Sequence, residues 1–379
     1  MQCLKGGEVW RKPDVANDER GIIVIVLPLW LNDYQGYKNS PINYPQMLAM
    51  YLKSPNTDSM KTNPHTPLHR TQRLHRARGA LLGLAVGDAV GTTVEFKTRG
   101  TFKPMTDMVG GGPFRLKPGQ FTDDTSMALC LAMSLIEKGF DLHDQISRYT
   151  RWANEGYMSS NGRCFDIGIA TRGALQRFGR SGNPLAGSTD PNSAGNGCIM
   201  RLAPIPIRYA EDAEMAVRLS GEQAQTTHQA PECLAASRLF GEILVRALNG
   251  QSKEQVLAPP VLAGKLPVKL DAIGQGRYKS KERDAIQGSG YVIDSLEATL
   301  WCFAHTENFR DCILMAANLG DDADTTAAQA GQLAGAFYGE NDIPAEWLQK
   351  LTMMEEIRGI ADALNEHASK QETEVIAAS

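Results

Sequence analysis

Two short stretches of the chain concentrate hard oxygen donors. Phe121 to Ser126 reads FTDDTS, and Asn318 to Thr326 reads NLGDDADTT, with an apolar helical pattern running on after each. If the fold brings them together, they form one divided site with four or five carboxylates and at least two hydroxyls. So many like charges protonate or separate unless a cation pairs with them. Magnesium usually takes one or two carboxylates and keeps positions open for substrate oxygens, so two divalent cations suit this donor set. The competing account is capping, since Asp before a helix ordinarily accepts from the first backbone N–H groups and sits well in the helix dipole. For either stretch alone, capping explains the residues as well as a cation does. An EF-hand loop does not: counted from Asp322, Ala327 stands where Gly is needed and Leu333 where the bidentate Glu belongs.

Composition narrows the class. A chain of 379 residues with 42 % hydrophobic and 22 % charged side chains has core material for one large domain or two ordinary ones. A net charge of −4 argues against a nucleic-acid surface, which is basic. The seven cysteines are scattered and form no C-x-x-C pair, which suits buried thiols in a reducing, cytoplasmic setting better than disulfides or zinc. Gly21 to Leu31 is the longest apolar run, too short to span a bilayer. Acidic residues before it and the lack of a small-residue cleavage site make it a poor signal peptide.

Residues 1–70 differ from the rest. They hold seven of the nineteen prolines and four of the ten tyrosines, and carry eight Lys+Arg against six Asp+Glu. Ile22 to Val26 reads as one strand. This is an appended segment that either packs on the main body or docks a partner, since Tyr and Trp give contact area at low entropy cost. Residues 71–368 form the main domain and 369–379 a frayed tail.

From Thr71 onward the patterns are helical. In His75 to Val94, Gly79, Gly83, Gly87 and Gly91 recur every four residues, a bare stripe expected to let another helix approach closely. Asp88 and Glu95, seven apart, fall on that same face. Lys97 to Gln120 is a Gly- and Pro-rich loop leading into FTDDTS. Asp166 is most simply the N-cap of a helix from Ile167 to Phe178, although it can also project into a cleft. Ser181 to Ile207 is a second glycine-rich loop in which the N–H groups at Gly195, Asn196 and Gly197 suit an anion, and it is not a Walker loop. Thr227-His228 marks a corner before Pro231. Residues 251–290 read as a variable surface excursion, and Pro344 to Ala368 as one helix. The main body is therefore all-α.

The series GALLGLAVGDAVGTTVEF, FTDDTS, GNGCIMRLAPIPI, Thr-His before Pro, and GDDADTTAAQAG resembles the ADP-ribosylglycohydrolases, including the bacterial dinitrogenase-reductase-activating enzymes. The resemblance covers about residues 75–365 in order, and it implies a compact orthogonal helical bundle with two magnesium or manganese ions in a central cleft. It places metal ligands on Thr122, Asp123, Asp124, Asp322, Asp324 and Thr325. It places a further carboxylate on Glu95, a substrate-orienting one on Asp166, and the nucleotide-side loop on Gly195, Asn196, Gly197, Cys198 and Met200; His228, at the corner before Pro231, is a structural hydrogen bonder or a substrate contact. The sequence FDIG at Phe165 to Gly168 is similar to that of enzymes acting on arginine-linked ADP-ribose. Residues 1–70 are the departure, because the family does not require them.

The implied activity is release of ADP-ribose from ADP-ribosylated arginine in proteins, by attack of a metal-activated water at the anomeric carbon. Glu95, Asp123 and Asp166 share the candidacy for moving the proton. An arm fused to such a hydrolase suits an immunity protein that also plugs a cognate ADP-ribosyltransferase toxin. The alternatives are a protein that only binds and blocks such a transferase, and a hydrolase of serine-linked or O-acetyl ADP-ribose. No nucleic acid or membrane partner is expected.

Overall fold

The computed structural model describes residues 70–378, with side chains through Glu366. The longer helices are α1 (Arg70–Gly91), α2 (Asp123–Lys138), α3 (Leu142–Glu155), α4 (Ile169–Ser181), α5 (Ala213–Ala224), α6 (Pro231–Leu248), α7 (Val292–Ala304), α8 (Phe309–Ala317), α9 (Ala323–Tyr338) and α10 (Met354–Ala378). Short helices at Pro204–Arg208, Lys253–Val256, Val268–Gly274 and Ala345–Lys350 join them. Among the described residues there is no sheet, only the isolated bridges Gly111–Leu116, Ser188–His228 and Gly195–Tyr291. The all-α expectation therefore holds for this part, while the strand expected at Ile22 to Val26 lies outside the described residues.

The glycine stripe builds the centre. A Cβ added to Gly79, Gly83, Gly87 or Gly91 would lie 2.2, 2.3, 2.0 or 2.4 Å from the carbonyl oxygen of Gly335, Gly331, Ala327 or Ala323. Each step of four down α1 meets a step of four up α9, so the two helices run antiparallel with their backbones touching. Gly in a helix interior costs about 1 kcal/mol relative to Ala. Here the loss is offset by contact along the whole pair, and α1 is buried on every side from Gly79 to Gly91. The register has a functional consequence: the C-terminal end of α1 is placed against the N-terminal end of α9, where the second acidic stretch begins.

The structure corrects several local expectations. α1 ends at Gly91, so Glu95 lies in the turn beyond it and does not share a helical face with Asp88. α4 starts at Ile169 behind Gly168, which leaves Asp166 outside the helix; its side chain does not cap. The helix expected over Pro344 to Ala368 is broken, because Thr352 N–H donates to Gly119 O at 2.9 Å and Met353 takes φ of 59°. The 251–290 stretch is anchored as well as exposed. Glu242 of α6 accepts from the N–H groups of Val261, Leu262 and Ala263 at 2.7, 2.9 and 2.8 Å, and Leu270, Ile273 and Tyr278 are buried.

Candidate metal centre and substrate cleft

The two acidic stretches meet. Thr122 Oγ1 lies 3.0 Å from Asp88 Oδ1, 3.1 Å from Asp124 Oδ2 and 3.4 Å from Asp324 Oδ2. Thr325 Oγ1 lies 3.4 Å from Asp124 Oδ2, joining the second stretch to the first. Capping does not explain these residues. Neither Thr122 ahead of α2 nor Asp322 ahead of α9 makes a side-chain cap. The first turn of α2 is capped from another helix: Asp88 accepts from Thr122 N at 2.9 Å, Thr125 N at 3.1 Å and Thr125 Oγ1 at 2.6 Å. The chain spends Asp88 on this duty and leaves Asp123 and Asp124 free for the cleft.

Carboxylate oxygens of Asp88, Asp124 and Asp324 lie within 4.8 Å of one another, and those of Glu95, Asp166 and Asp324 do likewise. Asp324 belongs to both groups, so the two share a corner. Asp123, Asp322 and Thr325 line the cleft beside them. Asp322 Oδ2 is held by Asn196 Nδ2 at 2.6 Å, which ties the glycine-rich loop to the acidic stretch. Asp166 reaches the cleft from a residue with φ of 57°, the left-handed region in which strain clusters at functional sites.

The electrostatics call for cations. No Lys, Arg or His is ion-paired with any of these seven carboxylates among the described residues. Thr122 has one hydroxyl proton for three carboxylates, and Asp124 Oδ1 and Asp324 Oδ1 are buried without a partner. Burial, then mutual repulsion, raises the proton affinities. Glu95 is pushed up to about 10 by burial and then by Asp166 and Asp322, and Asp166 to about 7 by burial and then by Asp88 and Asp322. Asp88 rises only to about 6, since its four donors oppose the burial. Asp123, Asp124, Asp322 and Asp324 are also raised, burial first. Divalent cations relieve this conflict by displacing the protons, and an all-oxygen set suits magnesium or manganese.

The cleft above the carboxylates is a cavity of about 940 Å³. Its walls bring together Glu95, Asp123, Asp166, Gly195, Asn196, Gly197, Met200 and His228, residues from five separate parts of the chain. Cys198 is wholly buried under the loop, its thiol facing Gly195 O and Cys233 O, so it supports the loop from behind. The His228 ring lies directly under Gly197, where a Cβ would come 2.7 Å from Cε1. Its Nδ1 pairs with Thr227 Oγ1 at 2.8 Å. Buried Arg201 fixes the same corner, donating to Gly197 O at 2.9 Å and Thr227 Oγ1 at 2.7 Å with its guanidinium over the Tyr149 ring.

Residue-by-residue reading missed several contributors, among them Asp88 as the third corner of one group, and Phe96, Phe114 and Arg172 on the cavity wall. Asp88 had a signal, an acid on a glycine-lined helix face. The aromatic residues had none, because only the fold turns their loops toward the cleft.

An all-helical protein whose two central helices deliver a shared polycarboxylate site to one cleft is the class that fold and site define. A sequence model of the ADP-ribosylglycohydrolase family matches residues 69–374, and the chain belongs to that family. It is 48 % identical over 302 residues to the ADP-ribosylarginine hydrolase Tri1 of Serratia proteamaculans (strain 568), covering 79 % of this chain and 82 % of that one. It is 49 % identical over 298 residues to the ADP-ribosylarginine hydrolase Tri1 of Pseudomonas putida (strain GB-1), covering 78 % and 80 %. Among solved structures it matches an ADP-ribosylglycohydrolase-related protein complex with a TM-score of 0.70 at 43 % identity, covering 79 % of this chain and 99 % of that one.

Proposed function

We propose that this protein is a magnesium- or manganese-dependent hydrolase that removes ADP-ribose from ADP-ribosylated arginine side chains of proteins. The observation that carries the metal dependence is the pair of three-carboxylate groups sharing Asp324, with buried, unpartnered oxygens on Asp124 and Asp324. The arginine linkage is supported by the two relatives named ADP-ribosylarginine hydrolase.

Thr122, Asp123, Asp124, Asp322, Asp324 and Thr325 would hold the cations, with Glu95 and Asp166 grouped against Asp324 and Asp88 fixing Thr122 and the first turn of α2 beneath them. When bound, such cations orient ribose hydroxyls and lower the pKa of a water. The chain's own residues do the rest. The Gly195–Met200 loop and His228 seat the nucleotide portion, and Asn196 keeps Asp322 oriented. Water delivers its oxygen to the anomeric carbon, the C–N bond breaks, and the water's proton passes through a carboxylate to the departing guanidine. Glu95, Asp123 and Asp166 line the cavity where that proton moves, and the negative wall favours the oxocarbenium character of the ring. The test is release of ADP-ribose from an arginine-ADP-ribosylated protein with and without magnesium, for wild type and Asp124→Ala. Metal-dependent release lost in the variant supports the reading; release unchanged by chelator and substitution overturns it.

The family match begins at residue 69 and leaves the Pro- and Tyr-rich segment outside it. We read residues 1–70 as an arm that docks a cognate ADP-ribosyltransferase, giving the cytoplasmic protein an immunity role beside its hydrolysis. Deleting them leaves hydrolysis intact and weakens binding to the transferase; a truncation that unfolds or loses activity shows the arm to be structural.

A further inference from the structure

Two carboxylates of the second group each have an aromatic neighbour in sequence. Phe96 follows Glu95 and Phe165 precedes Asp166. The fold sets Phe114, from the Gly-Pro loop, between them; Phe96 and Phe114 line the cavity and Phe165 packs against Phe114. The Phe114 ring centroid lies 6.4 Å from Phe96, edge to face, and 5.3 Å from Phe165. Phe96 is 67 % exposed, an uncommon place for a large apolar side chain.

The backbone holds it there. Phe96 has φ of 61° and Asp321 φ of 58°, both in the left-handed region. Phe96 N–H donates to Asp321 O at 2.7 Å, and Asp321 N–H donates back to Lys97 O at 2.8 Å. This clasp joins the turn after α1 to the turn before α9. Two strained non-glycine residues bonded in this way beside an active cleft suit a held functional geometry.

The occupant follows from charge and shape. The cavity lined by Phe96 and Phe114 also carries Glu95, Asp123, Asp166, Asp321, Asp322 and Asp324 against one guanidinium, Arg172, so its lining stays net negative even with two divalent cations bound and favours a cationic guest. An adjoining cavity of about 860 Å³ shares Ile169, Ala170, Gly195 and Gly290 with it but none of the three Phe residues. The aromatic wall thus belongs to the carboxylate part of the cleft, away from the shared glycine-rich boundary. A planar guanidinium is favoured over an aromatic face, and its methylene stem is apolar.

We propose that Phe96 and Phe114, with Phe165 packed against Phe114, form the wall against which the substrate's own arginine side chain lies while its bond to ribose is cut. The proposal rests on the arginine-linked reading above and adds the residues that select the leaving group. The test uses full-length protein with magnesium and compares wild type, Phe96→Ala, Phe114→Ala and Phe96→Tyr. The readouts are KM and kcat on a peptide carrying ADP-ribosylated arginine, Kd for free ADP-ribose, and melting temperature as a fold check. Losing a cation–aromatic contact should raise KM for the peptide by roughly fivefold to tenfold. Affinity for ADP-ribose should stay within about twofold, since in this reading the nucleotide does not touch the wall. Phe96→Tyr keeps the ring and brings KM back toward wild type. An unmoved KM in both Ala variants overturns the proposal, and so does a parallel loss of ADP-ribose affinity, which puts the rings on the nucleotide instead. Wild-type protein that does not turn over the arginine conjugate overturns the activity reading and this wall with it. Normal wild-type turnover with unmoved variants overturns the wall alone.

Discussion

Gly87 and Ala327 set the spacing of the central helix pair, because a Cβ on Gly87 would stand 2.0 Å from the Ala327 carbonyl oxygen. The neighbour is backbone within a packed helix, so it has nowhere to go. Gly87→Ala is expected to cost about 3 kcal/mol or more, as overpacking of a rigid core does, and to lower metal affinity by moving α9. Gly359→Ala is the control: it is exposed in α10 with nothing near its Cβ position, and should add up to about 1 kcal/mol of stability. Urea unfolding of both variants checks the pair.

Asp88 works as a cap supplied from a neighbouring helix. Thr125→Val removes the hydroxyl that donates to Asp88 at 2.6 Å while nearly preserving shape. A lost hydrogen bond to a charged group costs about 1.5–3 kcal/mol. In an Asp88→Asn background the same change should cost clearly less, because the charge it serves is gone. A double-mutant cycle by chemical denaturation measures the coupling, and additive losses would contradict the arrangement.

Without cations the cluster is a reservoir of repulsion. Asp324→Asn removes the carboxylate common to both groups, so the chelator-treated variant should melt higher than the chelator-treated wild type. Magnesium at about a hundredfold over Kd should stabilise wild type by about 2.7 kcal/mol and the variant hardly at all. Thermal melts with and without chelator test both halves, and ADP-ribose release should be lost in the variant.

His228 gives a pH signature. Burial, then the Arg201 charge, lowers its pKa from 6.5 to about 3. The folded imidazole therefore stays neutral down to that pH, while the unfolded one takes a proton below about 6.5. The unfolded state binds more protons through this window, so this contribution to stability is present above pH 6.5 and lost as pH falls toward 3. The slope reaches about 1.4 kcal/mol per pH unit. Wild type should lose more stability than His228→Gln between pH 7 and pH 5, and the imidazole NMR signals should not titrate between pH 8 and pH 5. A titration midpoint near 6.5 would refute the buried, neutral assignment.

Much of this molecule is legible in its residues before any coordinates. The four-residue glycine period called for a close helix partner, the two acidic stretches for a divided cation site, and the ordered motifs for the family. These signals are local in chain and chemical in kind, and they survive without knowing where anything lies. What the residues leave open is decided by packing. Asp166 reads as a helix cap by every local rule, yet α4 starts two residues later than its cap position requires and the side chain turns into the cleft. Asp88 and Glu95 read as one helical face, yet the helix stops at Gly91 between them. Phe96 and Phe114 are two unrelated aromatic positions until the fold brings their loops onto one cavity wall, with Phe165 packed against Phe114. A helix propensity or a cap preference is worth about a kilocalorie, and the contacts along one backbone-to-backbone helix pair outweigh several of them.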